Sequence, residues 1–292
     1  MKYYENLINI IKKGKNLEKH LINPWSFLYI SDFYYCSDKK HKIKILRRTN
    51  LPKLDLSKLK DFDKIFVDCS SFNKFVNVVL PKINKKIILI TAKEKLPQIH
   101  ISNETEEVLK NDKILLWFSQ NPIYPNSEKF IAIPYGISEI NFKTYSKFLL
   151  NNINKKINVS NLPVGIHDHL PENHIRRKYD VLGIKSGKKL SLNDFYQKIK
   201  QSKFIISTTG DREDCYRHYE AIGLGTMPIS DVSENYQYLF GNNMIYKNGD
   251  EMIKILKNNG KDLIYQEPNK DLICSEYYYE MIKEKLNQLR NL

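Results

Sequence analysis

No stretch of this sequence comes near the roughly 18 consecutive apolar residues that a membrane-spanning helix needs. There is no CxxC pair. The four cysteines, Cys36, Cys69, Cys215 and Cys274, are too scattered for a zinc knuckle or a redox motif. There is also no P-loop and no GxGxxG, which removes the two commonest phosphate-cradling fingerprints. No RRM, KH or zinc-finger signature occurs, and no basic block is interleaved with aromatics, so single-stranded nucleic acid has no platform to stack on. The opening MKYYENLINIIKKGKNLEKHL lacks the unbroken apolar core and small-residue cleavage site of a signal peptide. With Leu7, Ile8, Ile11, Leu17 and Leu21 it reads instead as a basic amphipathic helix, either touching a membrane surface or covering the domain. The expectation is therefore a cytoplasmic protein with reduced thiols and no transmembrane segment.

Arginine is scarce too. Only seven of the 47 basic residues are arginine, while lysine is spread along the whole chain with much Asn and Ile. The formal net charge of +14 is thus a diffuse lysine excess, the bias an AT-rich genome writes onto exposed positions, and no nucleic-acid partner is expected from it. Four of the arginines, Arg176, Arg177, Arg212 and Arg217, fall within about forty residues, and such a cluster suits bidentate geometry.

What remains is an ordered globular chain. Its 292 residues, 41% hydrophobic and 12% aromatic, allow one large domain or two ordinary ones. WSFLYISDFYY, KIKILRR, KIFVDCS, KKIILIT, KILLWFSQN and KFIAIPYGI read as strands. Between them FNKFVNVVLPKI and ISNETEEVLKN read as helices, the second capped by Ser102 or Asn103. That rhythm predicts parallel α/β units with helices on both faces. The polar passage 138–158 suits a helix and linker. A second α/β pattern follows it: strands at NLPVGIHDH, KFIISTTG, TMPISDV and NMIYK, and helices at PENHIRRKYDVLGI, SLNDFYQKIKQS, CYRHYEAIGLG, GDEMIKILKN and SEYYYEMIKEKLNQLR. The expected organisation is two Rossmann-like domains facing a cleft. Residues 1–150 form the first and 151–292 the second, with the last helix packing back on the first domain.

The stretch TTGDREDCYRHYEAIGLGTMPIS, residues 208–230, stands apart in composition. KFIIS ends a parallel strand, and Thr208, Thr209 and Gly210 begin the loop leaving its C-terminal edge, where open α/β sheets bind ligands. Residues 211–214 lead into a helix whose N-terminus suits a diphosphate. Arg217 can fork onto a phosphate. Glu220, three residues on and on the same face, can accept hydrogen bonds from the vicinal hydroxyls of a ribose. Gly223 and Gly225 allow the close turn into the next strand. The bland alternative is an Arg217–Glu220 surface pair; the stretch as a whole reads as a nucleotide site.

KFIISTTGDREDCYRHYEAIGLGTMPIS resembles the nucleotide-sugar-binding segment of exostosin-like (GT47-like) glycosyltransferases of the GT-B fold, most specifically through Gly225, Thr226, Met227, Pro228 and Ile229. LLWFSQNP followed by FIAIPYGI resembles the passage before the interdomain linker of those proteins, and HIRRKYDVL their helix opening the second domain. The resemblance implies a hexosyl- or pentosyltransferase that moves a sugar from a nucleotide-sugar donor, UDP-linked, to a glycan or glycoprotein acceptor. It implies inversion at the anomeric carbon, with the donor in the C-terminal half and the acceptor in the N-terminal half. Without the membrane anchor usual in animal members, the chain looks like a compact bacterial or viral version, cytoplasmic in the bacterium or the infected host.

The roles follow from that resemblance. Arg217, Arg176 and Arg212 are candidates for the leaving-group charge. Ser207, Thr208, Gly210, Asp214 and Glu220 complete the donor set, and His167 and Asn121 are candidates for sugar contacts. Asp68, directly after an apolar strand in KIFVDCSSF, is the candidate catalytic base; Asp32 and Glu94 occupy similar places. HDH at 167–169 and DFD at 61–63 could be taken for metal ligands, but DFD precedes its strand and only two side chains of HDH would share a face. A metal-independent enzyme with no cofactor is expected. Two other readings stay open: another α/β enzyme acting on a phosphorylated ligand, and a non-catalytic binder of an anionic polymer.

Overall fold

A computed structural model describes residues 1–93, 99–161, 190–210 and 212–291. The chain divides into two compact units, each built on its own all-parallel sheet. The first-sheet unit comprises Asn23–Tyr135, Glu234–Leu239 and Ser275–Leu292, and the second-sheet unit comprises Met1–Ile22, Gly136–Ser233 and Phe240–Cys274.

The chain opens with α1 (Lys2–Lys12), stopped at Gly14, whose φ of +65° no β-carbon would welcome. Leu7 and Ile10 of α1 are buried, so this helix covers its own unit, as one of its two readings required. The first sheet follows: β1 (Phe33–Tyr35), α2 (Lys39–Arg48), β2 (Lys64–Asp68), β3 (Ile87–Ala92), α3 (Asn103–Lys110), β4 (Ile114–Ser119) and β5 (Phe130–Ala132). The strand order is β1-β2-β3-β4-β5, so every crossover steps the same way across the sheet. Right-handed crossovers then put the connecting segments on one face. There Phe72, Phe75, Val76 and Val108 join Ile65, Val67, Ile87, Leu89, Trp117 and Phe130 in a single core. Trp117 is its centre, stacked on Phe72 at 5.6 Å and edge-on to Phe130 at 4.9 Å, with its indole N–H donating to Thr91 Oγ1.

Two sequence expectations need correction here. KIKILRR is helix, not strand. The Asp38 carboxylate accepts from His41 N and caps α2, and only Ile45 is buried, whereas Ile43 and Leu46 lie half exposed. A strand would have hidden Ile43 and Ile45 together. Most of WSFLYISDFYY is also not strand: Ser26–Ile30 is a 3₁₀ turn, and extended structure is limited to Phe33–Tyr35. That turn reaches β2 and is covered by α8 (Ser275–Arg290), where Phe27 meets Tyr278 edge-on.

The second-sheet unit continues with α4 (Phe142–Leu150), β6 (Ile157–Asn161), α5 (Leu192–Gln201), β7 (Ser202–Ile206), α6 (Tyr216–Gly223), β8 (Met227–Ser230), β9 (Ile245–Tyr246) and α7 (Gly249–Lys257). Its strand order, β6-β7-β8-β9, is again sequential. Caps explain the helix starts: Ser191 accepts from Asp194 N ahead of α5, and Asn248 and Glu251 form a reciprocal capping box at α7. α1 packs on α4 and on the turn Lys270–Ile273 of this unit, and Asp271 Oδ1 accepts from Tyr4 N. The KFIISTTG, CYRHYEAIGLG, TMPISDV, NMIYK and GDEMIKILKN expectations each meet their element.

Candidate functional site

In the second-sheet unit the chain leaves β7 at its C-terminal edge and runs through a short loop into α6. Ser207 N donates to Ile229 O, extending the β7–β8 pairing by one residue before the loop begins. Thr209 is tied to the end of β8, its N–H donating to Asp231 Oδ1 at 2.8 Å and its hydroxyl to Oδ2 at 3.3 Å. Gly210 N donates to Arg212 O. Glu213 Oε2 accepts from Ser233 N at 2.6 Å. Carboxylates therefore hold Thr209 and Glu213, on either side of the loop, to the segment that follows β8.

His218, on the first turn of α6, ties the loop from below. It is fully buried; its Nε2–H donates to Glu213 O at 2.9 Å and its Nδ1 lies 2.8 Å from Ser207 Oγ. Cys215 Sγ sits 3.4 Å from Nε2. Burial by itself works against the imidazolium, but Cys215, the Glu213 carbonyl and Asp214 together raise its pKa above the ordinary value. Nothing in the sequence reading gives His218 a role. The available signal was its place three residues after Cys215, one turn along the same helix.

The predicted donor residues Ser207, Thr208, Gly210, Arg212, Asp214, Arg217 and Glu220 all lie on this one loop and helix. Ser207, Thr208, Arg212, Asp214 and Glu220 are buried, and Arg217 is half-buried with its guanidinium 5.6 Å from the centre of the Phe195 ring. Glu220 Oε1 accepts from Tyr196 Oη at 2.6 Å and from Asn141 Nδ2 at 3.3 Å. Burial raises the Glu220 pKa, against the opposing pull of those two donors and of Arg217. Tyr196 and Asn141, which hold this carboxylate, were not foreseen: they come from α5 and the approach to α4, far from the motif in sequence. Gly223 closes α6 for a packing reason, since a β-carbon there would collide with Tyr145 Oη. Gly225 is the positive-φ residue that turns the chain into β8.

His167 and Arg176 lie outside the described residues, as do Arg177, Glu94 and the HDH triplet. Asp68 and Asn121 belong to the first-sheet unit, at the C-terminal ends of β2 and β4. Register sets Asp68 beside Ala92 and Thr91 beside Ser119, so these strand ends finish nearly level. Asp68 is fully buried. Its Oδ1 accepts from Ser70 N, from Ser70 Oγ and from the His41 ring, while its Oδ2 is buried with no hydrogen-bond partner among the described residues. Asn121 is held by Cys69 Sγ through Nδ2, and its Oδ1 is likewise buried without a donor. Asp32 is not at the C-terminal edge. It precedes β1 and accepts from Lys64 N and Nζ at the start of β2, because the strand begins after it and not before. The acids of DFD bond backbone: Asp63 accepts from Lys60 N within the turn and Asp61 from Lys86 N ahead of β3, around Phe62 at φ +68°.

Residues 166–288 match the family model of the RXYLT1 C-terminal domain, a span that contains the β7 loop, α6 and β8. No curated protein matches the chain. Over that span the chain is similar to a domain related to exostosin/GT47 glycosyltransferases.

Proposed function

We propose that the protein transfers a sugar from a UDP-linked donor to a glycan acceptor, inverting the anomeric carbon without a metal ion. The observation that carries this reading is the pinned loop between β7 and α6, at the sheet edge where parallel α/β folds take ligands and inside the family-matched segment. In this reading the diphosphate sits at the α6 N-terminus, drawn by the positive end of the helix dipole and by Arg217 and Arg212, with Arg176 adding charge for the departing UDP. Glu220, buried and steadied by Tyr196 and Asn141, presents Oε2 to the ribose. His167 contacts the donor sugar, and the N-terminal half receives the acceptor. A compact bacterial or viral source and a cytoplasmic site of action complete the proposal.

A thermal-shift panel of UDP, GDP, CDP, TDP and UMP, each with and without EDTA, tests it. UDP at a hundred times its dissociation constant stabilises the fold by about 2.7 kcal/mol. A melt that rises with UDP and ignores EDTA supports the reading; a melt that no nucleotide moves rejects it.

A further inference from the structure

α2 carries charge and apolar surface that the fold leaves unused. Every residue of its sequence KKHKIKILRR except Ile43, Ile45 and Leu46 is basic, and none is acidic. The inner side of the helix is accounted for. Ile45 is fully buried, the His41 ring lies 3.1 Å from Asp68, and the Arg48 guanidinium lies 4.5 Å from the centre of the Trp25 ring. The outer side is open to solvent. At about 3.6 residues per turn, Ile43 and Arg47 fall opposite Ile45, with Lys39 and Leu46 on one flank and Lys40 and Lys44 on the other. All six are exposed, Ile43 and Leu46 by 51% and 52%. Three residues apart, those two side chains are neighbours on one face. The cations around them are poorly offset within the helix: Lys40 and Lys44, and Lys44 and Arg48, are like-charge pairs one turn apart, which weaken a helix. Asp38 caps the helix and interacts with Lys40. α1, the other basic amphipathic helix, differs, because it turns Leu7 and Ile10 into its own unit.

We propose that the outer face of α2 is a docking surface for an anionic phospholipid bilayer. Lys39, Lys40, Lys44 and Arg47 meet the lipid phosphates, and Ile43 and Leu46 enter the boundary between headgroups and acyl chains. Charge complementarity limits the occupant to a polyanion, and the apolar pair selects among polyanions. Ile43 stands at the outermost part of the face, where a polynucleotide would set phosphates against it. A bilayer instead offers phosphates at the level of the cations and hydrocarbon just beneath them. At 10 residues α2 lies on such a surface and does not span it. The face belongs wholly to the first-sheet unit and stands independently of the donor site.

The test floats the full chain with phosphatidylcholine vesicles, with and without phosphatidylglycerol, at low ionic strength. Binding to the anionic vesicles alone, released by added salt, is expected. Lys44→Gln and Arg47→Gln each weaken it about fivefold. Lys254→Gln, an exposed lysine of α7, leaves it unchanged. Ile43→Ser combined with Leu46→Ser weakens it about tenfold or more, with the thermal melt as in wild type because both side chains are exposed. Ile43→Trp reads insertion directly: its emission moves to the blue on anionic vesicles, whereas Trp25 and Trp117 are already buried in the free protein. A chain that ignores anionic vesicles, or binds neutral ones equally, overturns the proposal. So does binding that survives the double serine change, or that falls as much with Lys254→Gln as with Lys44→Gln. An oligonucleotide that outcompetes the vesicles for the chain also overturns it, in favour of a nucleic-acid surface.

Discussion

Ser207 Oγ lies 2.8 Å from His218 Nδ1, so the residue just past β7 and the first turn of α6 are joined beneath the loop that separates them. Replacing His218 by Leu leaves both Ser207 Oγ and the Glu213 carbonyl without their partner in a buried setting. A loss of about 1–3 kcal/mol for such orphaned groups is expected. Urea melts of His218→Leu check it, and a midpoint equal to wild type would show that the imidazole supports nothing.

Glu220 gives a pH test with a definite sign. Its folded-state pKa is raised by burial above the ordinary 4.5, so the protonated form is the one the fold prefers. The stability linked to it is fully present below pH 4.5 and is lost as pH rises through the folded value. Glu220→Gln removes that loss, so its stability relative to wild type improves from pH 4 to pH 7. If the difference between the two melts is flat across that range, the carboxylate is not desolvated as described.

Gly223 is held by contact, not by its backbone angles. Gly223→Ala drives a methyl group into Tyr145 Oη and Ile273 Cδ1, and overpacking of this kind costs about 1–3 kcal/mol. Tyr145→Phe in the same chain removes the closest atom and recovers part of the loss. Additive effects of the two changes in thermal melts would mean that the backbone had moved away from Tyr145 instead.

Arg217→Ala separates nucleotide binding from general charge attraction. It removes one of 47 cations, so binding to an oligonucleotide or an anionic polysaccharide changes little and stays steeply salt-dependent. The melt shift from UDP is lost. A variant that keeps the UDP shift excludes Arg217 from the site.

The parallel strands were legible because they are continuous apolar runs: IILITA of β3 is buried at all six positions, a pattern with no competing helical period. α2 was not legible, because Ile43, Ile45 and Leu46 mimic a strand and the decisive feature is the Asp38 cap. The donor loop was legible as a segment, since Gly, Arg and acid follow one another along a single strand-loop-helix. The partners that set its chemistry were not. Tyr196, Asn141 and Asp231 reach Glu220 and Thr209 only through the fold, and His41 meets Asp68 across 27 residues.

The interleaving of the two units along the chain has a consequence for how the protein is made. A ribosome delivers all five strands of the first sheet long before α8, which lies C-terminal to the whole second sheet yet belongs with the first. Until that helix emerges, the 3₁₀ turn bearing Phe27 has no Tyr278 to cover it. A nascent chain halted near residue 150 therefore carries an unfinished apolar surface, of the kind that recruits chaperones or aggregates. Completion of the first-sheet unit waits on the emergence of α8.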